Sequence, residues 1–412
     1  MSTDHPLRIM LVSELFPPAR GGVEHHVAHL AAELADQGHD VSVVTLALSP
    51  SPAPSAAPDG LGSSPVRVHR VGSAVGRLPG LHQDPRRPFH PPVADPVVRR
   101  HVARLLAHEQ PDVVHAHNWM VQSVPPGRHG VVLTAHDYAL ACPKRTLLDD
   151  AGAICDGPAL RRCAPCSVAQ YGPAKAVAID VATRIGRRTL SVDAVVAVSE
   201  AVAAAVRPRV RAPVRVIPNF VPSGLGEAPG LPVPGLPDGP FAFFAGDVAP
   251  HKGAEVLRRA WQDRPPCPLV VASLRGGELR GSSVVAVGTL TPGQMATAWR
   301  QASVAVVPSQ WADPCPTVAL EALTFGVPVV ASAVGGLTDI LAGGRHGILV
   351  PPGDPVALRA AVATVVDNPA RHRVMADAAR CHARRYAASA VVPQLVELYR
   401  QVVADRGEVR GR

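Results

Sequence analysis

The chain has 412 residues, 47% of them apolar and 18% charged, with 44 prolines, few aromatics and a formal net charge of +8. That length exceeds one ordinary core and predicts two soluble globular domains with Ala, Val and Leu interiors. Seven cysteines over this length argue against a secreted disulfide framework. The basic excess, spread over both halves, argues against a nucleic-acid arm and suits anionic small ligands or an anionic membrane face.

The first apolar run, RIMLV (8–12), is too short for a signal peptide and predicts a buried parallel strand. Residues 21–39 carry helical periodicity through Val23, Val27, Leu30, Ala31 and Leu34, with Gly38 as the stop. DVSVVTL (40–46) predicts the next strand, and the Ser/Pro/Ala-rich residues 47–65 an exposed loop. A helix over 99–110, strands at 112–117 and 130–137, a basic helix over 175–190 and strands at 193–200 and 214–219 follow. This alternation predicts a doubly wound parallel α/β sheet. Residues 221–240 are dense in Pro and Gly and read as a linker. A second β/α series follows, then a last helix near 390–403. Two open α/β domains are expected to take a ligand in the cleft between them, outside the carboxyl ends of their strands. No stretch reaches the roughly 18 apolar residues of a spanning helix, so a cytoplasmic location is expected.

Several side chains stand where such folds do chemistry. Gly21 and Gly22 open the first helix, where free N–H groups suit an anion, although G-x-G-x-x-G is absent. His25 and His29 lie four apart without completing H-E-x-x-H. His115 and His117 alternate on a strand, which predicts one ring at the cleft and one packed. His136 ends the strand VVLTAHD and is expected at the ligand. Lys252, just before Gly253 and a helix, suits a diphosphate. In ADPCPTVALEALTFGVPVVAS, Pro314 and Pro316 put Asp313 on a loop and Glu321 inside the helix that Gly326 stops. Such carboxylates accept hydrogen bonds from sugar or ribose hydroxyls. Cys142, Cys155, Cys163 and Cys166 crowd one loop-like stretch, which predicts a structural zinc clasp, with small apolar packing residues as the other reading.

PPARGGVEHHVAHLAAELADQGHDVSVVT, VVHAH, LTAHDY, VVAVSE, VIPNF, GDVAPHKG, DPCPTVALEALTFGVPVVAS and VGGLTDI…GILVPPGD together resemble the retaining GT-B glycosyltransferases of the family 4 type, across nearly the whole chain. The resemblance implies two Rossmann-like doubly wound domains facing across a cleft. Residues 1–220 would form the acceptor-side domain, 221–240 the linker and 241–389 the nucleotide-sugar donor domain, and 390–412 the helix crossing back. It implies Glu321 on the donor ribose, Asp313 facing the donor sugar and Lys252 on the diphosphate. His136 would lie near sugar and acceptor, Gly22 in the glycine loop, and Asn219 and the Asp247 position with the donor.

Two positions depart from the family pattern. Asp247 stands where the family usually has an Arg that neutralises the leaving diphosphate, an unfavourable exchange beside an anion unless another cation compensates or the side chain turns away. Asp313 replaces a Glu and is shorter by one methylene, about 1.5 Å of reach.

The implied reaction moves a sugar from a nucleotide diphosphate to a hydroxyl acceptor (a glycan, a small molecule or a lipid-linked acceptor) with retention. No D-x-D occurs in the chain, and no cofactor is expected for catalysis; the zinc expected at the cysteines is structural. A non-catalytic nucleotide-sugar binder and a GT-B sugar-nucleotide epimerase stay open as alternatives. Lys175, Arg184, Arg187 and Arg188 make the helix near 175–190 a candidate for peripheral contact with the inner membrane face, with a solvated helix face as the plainer reading.

Overall fold

A computed structural model describes residues 5–410, apart from residue 20 and residues 49–65, 76–88, 150–151, 156, 158–159, 274–278 and 280. Most of the expected loop at 47–65 therefore lies outside the described residues. The chain divides into two compact units. The first holds residues 1–151, 155–218 and 391–412, and the second holds residues 152–154 and 219–390.

The first unit is built on seven parallel strands: β1 (Arg8–Ser13), β2 (Asp40–Leu46), β3 (Arg67–Val71), β4 (Val113–His117), β5 (Gly130–Ala135), β6 (Ala194–Ala197) and β7 (Val214–Val216). Their order is β3-β2-β1-β4-β5-β6-β7. The central strands are buried on both faces, which is why they read as continuous apolar runs rather than alternating ones. Helix α1 (Gly22–Asp36) buries Val27, Leu30, Ala31 and Leu34, and Gly38 ends it at φ 85°, a left-handed position that favours glycine. Helix α2 (Pro96–Glu109) starts where the Asp95 carboxylate accepts from the Val97 and Val98 amides.

Helices α3 (Leu160–Tyr171) and α4 (Pro173–Thr189) pack on each other between β5 and β6, and the short α5 (Glu200–Val206) follows β6. Strand β3 and helix α3 escape the sequence pattern. β3 is a half-buried edge strand carrying Arg and His, and α3 carries Pro165 in its interior.

The second unit repeats the plan with six parallel strands: β8 (Ala242–Ala245), β9 (Leu269–Ala272), β10 (Val284–Ala286), β11 (Val304–Val307), β12 (Val329–Ser332) and β13 (Gly347–Val350). Their order is β10-β9-β8-β11-β12-β13. The helices of this unit are α6 (Ala254–Ala260), α7 (Pro292–Gln301), α8 (Thr317–Thr324), α9 (Gly336–Ile340), α10 (Pro355–Val366) and α11 (Pro369–Ala383). Thr291 and Gln294 form a capping box that starts α7, and Trp299 on that helix packs edge-on against Phe243 at 4.7 Å.

Residues 221–240 have no helix or multi-residue strand, yet they are not loose. Val221 bridges Ala387, its amide donating to the Tyr386 carbonyl at 2.8 Å and its carbonyl accepting from the Ala388 amide at 3.0 Å, and the Leu231 amide donates to the Gly293 carbonyl. The last helix, α12 (Ala388–Arg410), joins the first unit from residue 391 onward. There the Tyr399 hydroxyl meets His115, Val402 abuts Gly130, and Arg406 pairs with Asp193. Among the described residues no helix is long and apolar enough to cross a membrane.

Candidate functional site

Both sheets reverse their strand order once, between β1 and β4 and between β8 and β11. At such a switch point the loops diverge and leave a crevice beyond the strands. The sequence-predicted residues gather at these two places.

In the second unit the turn after β8 carries Asp247, His251 and Lys252, and the loop after β11 carries Ser309, Trp311 and Asp313. Lys252 Nζ lies 2.6 Å from Asp313 Oδ2, and the Ser309 hydroxyl donates to the same oxygen at 3.3 Å. The ammonium also sits 5.3 Å from the centre of the Trp311 ring, a cation–π distance. Asp313 is buried, and the Lys252 side chain keeps 30% of its surface exposed, so one end of the pair remains open to a ligand.

Two glycines make this geometry. A Cβ on Gly253 would stand 2.0 Å from the Pro308 carbonyl oxygen, at a φ of 84°. A Cβ on Gly335 would stand 2.4 Å from the Asp313 carbonyl oxygen, at a φ of 55°. Both loops approach backbone to backbone, which no other residue permits without displacement.

Helix α8 begins after Pro316 and stops at Gly326, as the prolines and glycine predict. Glu321 on it is held by the Trp299 indole N–H at 3.2 Å, and burial pushes its carboxyl up to about 7. Asn219 donates to the Cys315 carbonyl at 3.0 Å and so clamps the loop between Pro314 and Pro316, while its Oδ1 is buried without a partner. Burial pushes the Cys315 thiol up to about 12, which removes it as a nucleophile. Asp247 is exposed, with His251 and its charge within electrostatic reach.

In the first unit His136 follows β5, and its backbone amide donates to Asn118 Oδ1 at 3.3 Å. Its Nε2 lies 2.8 Å from His117 Nδ1. The expectation that one of His115 and His117 packs and the other opens outward is corrected: both are buried. His115 is bonded to Tyr399 and Thr134, each at 2.6 Å, a pairing with α12 that no local sequence pattern reveals.

Gly22 opens α1, and a Cβ there would meet nothing within 4 Å. At Gly21 the same atom would stand 2.3 Å from the Glu24 carboxylate, so a buried acid occupies the first turn. Sequence reasoning also missed Glu14 and Arg145. Arg145 Nε donates to Asp137 at 2.8 Å and its Nη1 reaches Glu14 at 3.5 Å. Burial raises the Glu14 carboxyl, and Arg145 only partly offsets it. Burial also opposes the Arg145 charge, but Asp137 and Glu14 outweigh it and hold the guanidinium above its ordinary value.

Cys142, Cys155, Cys163 and Cys166 form no disulfide, and among the described residues no three His, Cys, Asp or Glu side chains are placed together as a metal-holding group. The Cys155 thiol donates to the Gly157 carbonyl at 3.3 Å and the Cys166 thiol to the Leu148 carbonyl at 3.6 Å. Arg187 lies among these thiols, within electrostatic reach of Cys163 and Cys142. The His25 and His29 rings are 6.3 Å apart and likewise join no metal-holding group.

Glycosyl transferases group 1 matches residues 233–382, and Glycosyltransferase Family 4 matches residues 20–224. The chain belongs to these glycosyltransferases. A D-inositol 3-phosphate glycosyltransferase 1 of Catenulispora acidiphila is 28% identical over 97% of this chain and 96% of its own length. An exopolysaccharide phosphotransferase of Streptomyces coelicolor is 31% identical over 47% of this chain, and the match spans only 21% of that relative. Sucrose-phosphate synthase of Thermosynechococcus elongatus shares the fold, with a TM-score of 0.72 at 23% identity over 97% of this chain and all of that one. Anabaena HepE, solved in complex with UDP-glucose, has a TM-score of 0.66 at 17% identity over 96% of this chain and all of that one. The two parallel-sheet units are thus those of a GT-B glycosyltransferase.

Proposed function

We propose that this glycosyltransferase moves a sugar from a nucleotide-diphosphate donor to a hydroxyl acceptor with retention, and that the second unit holds the donor. The observation that carries the reading is the Lys252–Asp313 pair beside Trp311, with Glu321 braced on the neighbouring helix. Lys252 is a point charge with three donors, of which Asp313 occupies one, leaving capacity for diphosphate oxygens. As the leaving group gains charge, that ammonium stabilises it more than the ground state, which is what lowers a barrier.

Asp313 works here chiefly as the anchor of Lys252, a role different from direct contact with the sugar. Glu321, ionised, accepts from ribose hydroxyls. The UDP-glucose bound by HepE supports a nucleotide-sugar donor of this kind. No protein carboxylate is needed as nucleophile when the acceptor attacks on the leaving-group face, unlike the paired-carboxylate scheme of retaining glycosidases. The test is nucleotide release from UDP-, GDP- and ADP-sugars with an acceptor panel. Release above the Lys252→Ala level is expected, and its absence with every donor overturns the reading.

The same enzyme is read as resting on an anionic membrane face through α4. Support comes from its outward residues, Val177, Val181 and Ile185, which are 65%, 49% and 47% exposed at four-residue spacing. Arg184 and Arg188 share that exposed face, and the only acid of α3 and α4, Asp180, is tied to Ser167. Arg187 drops out of the expected set, because it is half-buried with Nε and Nη2 unbonded. Sedimentation with phosphatidylglycerol vesicles, but not with phosphatidylcholine alone, is expected and should fail in Val181→Asp. Self-association that Val181→Asp abolishes, without vesicle binding, would reassign the face to a second copy.

A further inference from the structure

Four imidazoles crowd the carboxyl ends of β4 and β5. His115 and His117 have ring centres 4.5 Å apart, His117 and His136 lie at 5.0 Å, and His26 reaches over from α1 to within 4.9 Å of His136. All four are buried. A cation among them would lose its hydration and face three further rings. Burial accordingly lowers His26 and His117 well below the ordinary histidine value and His115 to about 3. A neutral ring carries one N–H and one lone pair, so the hydrogen-bond pattern decides which nitrogen holds the proton.

His115 uses both nitrogens, on Tyr399 and Thr134, and donates nothing to its neighbours. The bond between His117 Nδ1 and His136 Nε2, 2.8 Å long, contains one proton. If His136 were its donor, His117 would have to carry its own proton on Nε2. That nitrogen is buried and has no hydrogen-bond partner, so the proton would be an orphaned donor. If His117 is the donor, the orphan is only a lone pair. Buried unpaired N–H groups are rarer than under-used acceptors, and the second arrangement is favoured.

We infer that His117 is a positioning residue: its Nδ1–H donates to His136 Nε2 and holds His136 as the Nδ1–H tautomer. With Nε2 taken up as the acceptor, any hydrogen bond that His136 gives a sugar or acceptor oxygen is donated from Nδ1. It does not serve as a base through Nε2, which is already occupied. Only this consequence for substrate rests on the proposed transfer. The tautomer itself stands or falls without it.

The experiment follows that division. In protein labelled with 15N-histidine, long-range 1H–15N correlation reads which nitrogen of each ring is protonated, and His136→Gln assigns the His136 signals. The wild type is expected to show His136 protonated on Nδ1, and finding it protonated on Nε2 overturns the inference whatever the activity. His117→Asn retains an amide donor near the Nδ1 position and should keep the tautomer, whereas His117→Phe should release it. With the donor that turns over, His117→Phe is expected to lose about tenfold in kcat, the worth of one neutral hydrogen bond. Its donor KM should stay unchanged, and His117→Asn should recover most of the rate. An unchanged His136 tautomer in folded His117→Phe would also overturn the assignment.

Discussion

At the carboxyl ends of β4 and β5 four buried imidazoles crowd together, with His117 bonded to His136, whereas at the ends of β8 and β11 a lysine and a carboxylate pair across two loops. The two sheets share a topology, and the turns after their strands fill the same position in it. What differs is solvent. His115 and His117 are at most 1% exposed, and a charge there would be prohibitively desolvated. Lys252 keeps one flank in water while its ammonium pairs with Asp313. One fold thus yields an orienting network in one unit and an electrostatic site in the other.

The comparison breaks most severely at Lys252. Replacing it with alanine removes the cation and leaves Asp313 buried without its ion-pair partner. Nucleotide release should fall by about 10²–10³-fold, the range for deleting a charge-stabilising donor, measured at saturating donor.

Next in size is Gly335→Ala, which forces a Cβ against the Asp313 backbone in a left-handed conformation. A loss of about 2–3 kcal/mol in unfolding free energy is expected from denaturant titration, with donor binding lost alongside.

Glu321→Gln sharpens the contrast through pH. Burial raises the folded carboxyl from 4.5 to about 7, so the folded state holds a proton that the unfolded state releases. That contribution is fully present below pH 4.5 and is lost as pH rises through about 7. Glutamine never ionises. The variant should therefore exceed the wild type by about 1–3 kcal/mol at pH 8, with the gap closing toward pH 5. Its nucleotide affinity should nonetheless be lower at pH 8.

The smallest effect belongs to Tyr399→Phe, which removes one hydroxyl from His115. A cost of about 1 kcal/mol is expected in thermal unfolding, with donor affinity unchanged because the second unit is untouched.

Much of this was legible beforehand, for reasons that differ by residue. Helix α8 and the separation of Asp313 from Glu321 follow from Pro314, Pro316 and Gly326, whose backbone restrictions act locally. The two β/α series were legible because doubly buried strands read as unbroken apolar runs. The ion pair was not, because Lys252 and Asp313 are 61 residues apart and only the Gly253 and Gly335 approaches bring their loops together. The His115–Tyr399 bond spans 284 residues and was equally hidden.

The return of α12 has a consequence for how the molecule can be divided. The second unit is in effect an insertion within the first, entered at residue 219 and left at residue 390, and the Val221–Ala387 bridge ties its two ends together. Excised, it would close on itself. The first unit has no such freedom. A fragment stopping at residue 218 would strip Tyr399 from His115, Val402 from Gly130 and Arg406 from Asp193, exposing a sheet whose own sequence is intact. Helix α12 thus completes a unit begun by β1, and that unit can be whole only once the residues of α12 have themselves been made.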